Sequence, residues 1–190
     1  DVPLFGYDLA RARALLAGLG IQDRNGDGAL EDAAGNVIEF TLNSNLGNPA
    51  REKCAALVAE DFRRLGFKVN FQPLDYPTLV TNINETFNYD CVLMGLGGGG
   101  LDPAAQLVVL KSGEAMHQWF PNQPTPATDW EARMDTLMDD QMRTLEFAKR
   151  KKSFDEVQMI LAEQLPMIYT VAPLHLAATR ADLGNLRPTL

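Results

Sequence analysis

The segment Asn48–Gln72 reads NPAREKCAALVAEDFRRLGFKVNFQ. Pro49 stands at an early helical position, where its missing N–H costs nothing. Cys54, Leu57, Val58, Phe62 and Leu65 recur at helical spacing and mark one apolar stripe. Gly66 is a natural C-cap, and Phe67–Pro73 then reads as a strand. Upstream, Val37–Leu42 alternates as a strand does. Downstream, Thr78–Phe87 reads as a short helix and Tyr89–Met94 as an apolar strand. Two strand–helix–strand steps in succession argue for a mostly parallel sheet covered by helices, hence the α/β class.

The flanks extend this frame. Asp8 is expected to cap a first helix with Leu9, Ala12, Leu15 and Leu16 at helical spacing, ended by Gly18 and Gly20. Asp129 is expected to cap a late helix that turns Trp130, Met134, Leu137 and Met138 inward. A last helix is expected over Leu145–Leu165, with Phe147, Phe154, Val157, Leu161 and Leu165 inward. PMIYTVAP (166–173) and LHLAATR (174–180) read as closing strands. Residues 1–190 are thus expected to form a single α/β lobe.

With 46% hydrophobic and 22% charged residues in 190, the chain can bury a substantial core. A formal net charge of -8 repels nucleic acid and anionic membrane, which argues against both as partners. No apolar run reaches the roughly 20 residues of a membrane span. The chain opens on Asp1 rather than methionine, and is read as a piece of a longer protein or a processed product. Cys54 and Cys91 lack metal spacing; two buried thiols are favoured over one disulfide.

After the third strand comes MGLGGGGLDP (94–103). A Walker loop needs Lys-Ser/Thr after its last glycine, and here Leu101-Asp102-Pro103 follows. A dinucleotide fingerprint needs a helix opening directly from the glycines and an acid after the next strand; Asp102-Pro103 can cap a short helix, but the loop is late in the chain and no later strand–helix unit supplies the acid. A slack linker does not fit a run fed by an apolar strand. What remains is a loop at the carboxyl end of a parallel strand, the edge where open α/β sheets bind ligands. Leu96, Gly97, Gly98, Gly99, Gly100 and Leu101 are therefore candidate ligand-lining residues.

Two further stretches invite chemistry. In DRNGDGALED (23–32), Asp23, Asn25 and Asp27 alternate before Gly28, as in the first half of a calcium loop. Position twelve is Ala34, which removes the bidentate carboxylate, so Glu31 or Asp32 would have to compensate in part. The competing reading is a tight Asn-Gly/Asp-Gly turn. In MHQWFPNQPTP, His117, Trp119, Asn122 and Gln123 cluster, an aromatic beside imidazole and amide groups that suits a sugar or planar polar ligand. A loop pinned to its own domain by Trp119 fits that stretch equally. His175 reads as a core histidine and Lys149–Lys152 as a solvated helix face. No serine elbow, zinc motif or catalytic pair appears, so the chain is read as a non-enzyme.

Four stretches in order carry a family resemblance: YDLARARALLAGLGIQDRNGDGALED, the Asn48–Gln72 segment, FNYDCVLMG followed by Asp102-Pro103, and AKRKKSFDEVQMILAEQLPMIYTV. The chain resembles the C-terminal lobe of family 5 extracellular solute-binding proteins, the dipeptide/oligopeptide type of ABC importers. The resemblance implies a periplasmic-binding-protein-like α/β lobe, with the N-terminal lobe of a two-lobed protein absent. It also implies an exported, often lipid-anchored protein, expected as a monomer, that closes on a solute and delivers it to a membrane permease. It makes the Asp/Gly turn look like a family turn rather than a metal site, leaving a calcium-stabilised interaction module as the alternative. In peptide-binding members the loop after the third strand carries a tryptophan and an aspartate for the peptide's ammonium group. Those positions fall on Leu96 and Gly99 here. A buried ammonium without a counter-charge is costly, so a neutral ligand such as an oligosaccharide is expected over a free-amine peptide.

Overall fold

Glu39–Asn45 forms β1, the central strand of the protein. In the computed structural model, which describes residues 2–97, 102–172, 178, 180, 184 and 185, β1 is flanked by two parallel partners. Lys68–Leu74 forms β2 and Cys91–Leu93 forms β3, in the order β2-β1-β3. Leu42 faces Phe71 on one side and Cys91 on the other. The parallel sheet expected from the two strand–helix–strand steps is thus present.

Helix α2 (Pro49–Leu65) makes the first crossover. The Asn48 side chain caps it by accepting from the Arg51 N–H, and Pro49 opens it. Gly66 ends it at φ 112, a left-handed conformation that glycine adopts without strain. A Cβ there would sit 3.0 Å from the Gly28 carbonyl oxygen and from Leu30 Cγ. The buried face of α2 is Ala55 and Ala59, packed with Leu42 and Val69. Leu57, expected in the stripe, is 68% exposed. The small alanines let the helix lie close to the sheet, which rotates the larger Leu57 away. Phe40, Phe62 and Phe67 close one end of this core with edge-to-face rings 5.3–5.9 Å apart.

The second crossover is α3 (Tyr76–Thr81), continued by a wider π turn over Asn82–Thr86. After β3 and the glycine run, a 3₁₀ turn (Pro103–Gln106) leads into the short α4 (Leu107–Leu110). Helices α5 (Asp129–Arg143) and α6 (Phe147–Gln164) follow. They form a second core in which Val109, Leu110, Met134, Leu137, Met138 and Val157 are buried. The α5 cap is Thr128 rather than Asp129. Thr128 and Glu131 bond each other's backbone N–H in a capping box, and Asp129 becomes the first helical residue.

Three sequence expectations give way. Phe147 is 78% exposed because it opens α6 beyond the end of α5, and Leu165 lies just past α6 in a left-handed cap. Helix α1 (Leu9–Gly18), capped by Asp8, buries no residue. It is tied to α2 by polar bonds, Tyr7 Oη to Asp61 and Arg13 to the Arg64 carbonyl. Finally, residues 166–172 form no strand, and His175 with most of the second closing segment lies outside the described residues. Cys54 and Cys91 are free and half-buried. Burial, with Asp90 beside it, pushes the Cys91 thiol up, so it stays protonated.

Candidate functional site

Because all three strands run parallel, their carboxyl ends fall on one edge. Asn45 pairs with Leu74, and Ser44 with Leu93, so the chain leaves β1, β2 and β3 side by side. The last residues of β1 are polar yet buried: Asn43, Ser44 and Asn45. Buried polar groups need partners. Asn43 Nδ2 donates to the Gln72 carbonyl at 3.0 Å, and Ser44 Oγ donates to the Leu93 carbonyl at 2.9 Å. Asn45 Oδ1 accepts from the Arg51 guanidinium.

Arg51 crosses the exit of β3 at Gly95. A Cβ at Gly95 would come within 2.5 Å of Arg51 Nη2, so any larger residue there would shift the end of the arginine side chain. Beyond it, Leu96 is 39% exposed and Gly97 stands in open space. Gly98, Gly99, Gly100 and Leu101 lie outside the described residues. The far end of the run is anchored: Arg150 on α6 donates to Asp102 at 2.6 Å. That bond and the Ala104 N–H hold the Asp102 carboxyl below the usual carboxylate range. Asn45 and Arg51 escaped the sequence reading. For Asn45 the signal was the run Asn43-Ser44-Asn45, which breaks the alternation of Glu39-Phe40-Thr41-Leu42 at the end of the strand.

The second group of candidates lies elsewhere. His117 is buried, its Nδ1 3.2 Å from the Val109 carbonyl oxygen, so it faces the helical core. Its ring meets Trp119 with centroids 3.9 Å apart, and Trp119 Nε1 donates to Glu131 Oε1 at 3.2 Å. Asn122 is exposed in a left-handed turn at φ 56, while Gln123 is buried. Trp119 is therefore pinned to its own domain. Its remaining surface lines an open concavity of about 370 Å³ with Phe87, Tyr89, Asp90 and Phe120. Tyr89 and Asp90 precede β3, whereas Leu96 and Gly97 follow it, so the two candidate groups sit at opposite ends of that strand.

The Asp/Gly loop folds on itself. Asp23 accepts from the Gly26 and Gly28 N–H groups, and Asp27 from the Ala29 N–H. Asn25 turns its amide N–H groups toward Asp27 and Glu31, and Glu31 also accepts from the Arg24 N–H. A calcium site needs oxygens converging on one point. Here those of Asp23, Asp27 and Glu31 are engaged by N–H donors, and Asn25 presents donors to its neighbours. The four residues as arranged do not fit the ion. Among the described residues no group of three or more His, Cys, Asp or Glu side chains is placed to hold a metal.

Residues 1–118 match the bacterial extracellular solute-binding proteins, family 5 Middle. The chain belongs to this family. The oligopeptide-binding protein AppA of Bacillus subtilis is 29% identical to this family 5 chain over 177 residues, 91% of the chain and 31% of AppA. The structure of that AppA in complex with a nonapeptide superposes with a TM-score of 0.75 over 87% of this chain and 32% of its own. An oligopeptide ABC transporter periplasmic binding protein of Thermotoga maritima, solved with mannohexaose, is 25% identical. It superposes at a TM-score of 0.70 over 85% of this chain and 30% of its own. The family 5 chain thus spans about a third of the length of the relatives it matches. No helix among the described residues is long and apolar enough to cross a membrane.

Proposed function

We propose that the chain is one lobe of a two-lobed solute-binding component of an ABC importer. It captures a peptide-like or oligosaccharide-like solute at the carboxyl edge of its sheet and, with its second lobe, delivers it to a membrane permease. Such a protein works outside the cytoplasmic membrane, binds as a monomer, free or lipid-anchored, and catalyses nothing. The observation that carries the reading is the parallel order β2-β1-β3. It brings Asn45, Arg51, Gly95 and Leu96 to one edge, ahead of the glycine run. Edges of this kind are where open parallel sheets take ligands. The matched family and the solute-bound relatives support the same role.

Within that role a solute without a free ammonium group is favoured. Gly99 has no carboxylate to offer, and the carboxylates at the edge are engaged, Asp75 by the Thr78 N–H and Glu52 by the Gly47 N–H, while Arg51 presents its guanidinium there. Closure between lobes supplies much of the binding surface, so the lobe alone binds weakly. Mass spectrometry of the small molecules that copurify with the two-lobed protein tests the reading. Oligosaccharide or blocked peptide is expected. A set of free-amine peptides would overturn the preference, and tight solute binding by this chain alone would overturn the two-lobe account.

A further inference from the structure

The concavity at the amino end of β3 has walls that are already fixed. Tyr89 Oη donates to the Gln118 carbonyl at 2.7 Å, and Trp119 Nε1 donates to Glu131. With their polar atoms spent, both residues turn ring surface to the pocket. Phe87 and Pro121 complete the wall, and Phe120 stays 46% exposed at its rim. Phe87 is held at φ 54, a left-handed conformation costly for an aromatic residue. That conformation closes the π turn over Asn82–Thr86 and sets the ring at the pocket wall.

Asp90, itself exposed, borders the pocket. Its Oδ2 accepts from the Thr41 N–H at 2.8 Å, which fixes the carboxylate, while Oδ1 has no partner among the described residues. No lysine or arginine lines this pocket or the adjoining polar one of about 240 Å³, which shares Tyr89 and Asp90. The site therefore offers aromatic faces and one carboxylate oxygen, with Gln118 as its other polar lining residue. That combination recognises a cation with an apolar shell rather than an anion. At about 370 Å³ the space falls in the range of small-molecule sites, roughly 300–1,000 Å³.

We infer that the pocket formed by Phe87, Tyr89, Asp90, Trp119, Phe120 and Pro121 is a second binding site, for a small organic cation of the alkylammonium class. It stands at the opposite end of β3 from the solute edge and does not depend on the transporter reading. The ammonium lies over the rings of Trp119 and Phe120 and faces Asp90 Oδ1.

The probe is choline, with 3,3-dimethyl-1-butanol as its uncharged isostere. Each is titrated into the 190-residue chain and followed by the indole N–H resonances of Trp119 and Trp130 and the backbone amides. Choline is expected to shift Trp119 and residues 87–90 saturably and to bind about tenfold more tightly than the isostere. Asp90→Asn, which keeps an oxygen for Thr41, is expected to weaken choline by about tenfold and leave the isostere unchanged. Phe120→Ala, at the exposed rim and harmless to folding, is expected to weaken both. Equal binding of choline and isostere, insensitivity to Asp90→Asn, shifts confined to Leu96 and Gly97, or no saturable shift with choline each overturns the site. Free-amine peptides copurifying with the two-lobed protein would overturn the solute preference and leave this site standing.

Discussion

Leu42 is the residue on which the sheet core turns, and its truncation gives a quantitative test of how α2 is seated. It retains 1% of its surface and packs against Ala55, Ala59 and Val69. Leu42→Ala removes three carbons from this core, about 2.4 kcal/mol at about 0.8 kcal/mol for each. The alanines opposite have no longer side chain with which to fill the space, so a cavity contributes about 1 kcal/mol more. The expected loss is about 3–4 kcal/mol, a large part of the roughly 5–15 kcal/mol that holds a domain together. Leu57→Ala, on the same helix at 68% exposure, should cost under about 0.5 kcal/mol. Urea unfolding followed by far-UV circular dichroism reads both, provided the slope with denaturant is unchanged. The reasoning fails if Leu57→Ala costs as much as Leu42→Ala, because α2 would then face the sheet with its leucine stripe.

Gly66→Ala places a Cβ 3.0 Å from the Gly28 carbonyl in a left-handed backbone, and should cost about 2 kcal/mol in the same assay. Burial raises the Glu131 carboxyl, but hydrogen bonds from Trp119, Thr128 and the Ala127 N–H outweigh it and leave the group below the usual glutamate range. A depressed carboxyl stabilises above its unfolded pKa and loses that contribution as pH falls through its folded value. Glu131→Gln should therefore cost about 1–3 kcal/mol at neutral pH, and the gap from the parent should close on acidification below about pH 4. Millimolar calcium should leave the melting temperature of the chain unchanged; a clear rise would restore the Asp/Gly loop as a metal site.

The α/β class was legible because three local signals agree: Pro49 opening a helix, Gly66 closing it, and apolar runs on either side. The seating of α2 was legible in part: Val58 and Phe62 of the expected stripe pack on the sheet core, but Leu57 turns out, and the deepest places go to Ala55 and Ala59, because close approach to a sheet favours small side chains. Phe147 and Leu165 misled for a related reason, since periodicity says which residues share a face but not where the partner helix ends. The carboxyl-edge position of the glycine run followed from strand order. Arg51 did not, because its place depends on Gly95, which is distant in sequence and offers no side chain to read. Trp119 was found for its chemistry, with a ligand platform and a pin to its own domain left equally open; its bond to Glu131 and its contact with His117 are the pin, and they come from tertiary neighbours the local stretch does not name.

The central strand is synthesised before either of its neighbours. Ser44 waits for a carbonyl 49 residues further along, and Thr41 for a carboxylate equally distant. No hairpin can template this sheet, since parallel pairing requires each crossover to be in place first. The nascent chain therefore carries β1 unpaired until α2 and β2 have emerged, with the Ser44 side chain waiting longer for Leu93 of β3, and long-range closure of this kind is slow. A strand left exposed in this way can pair with other chains until its two crossovers close over it.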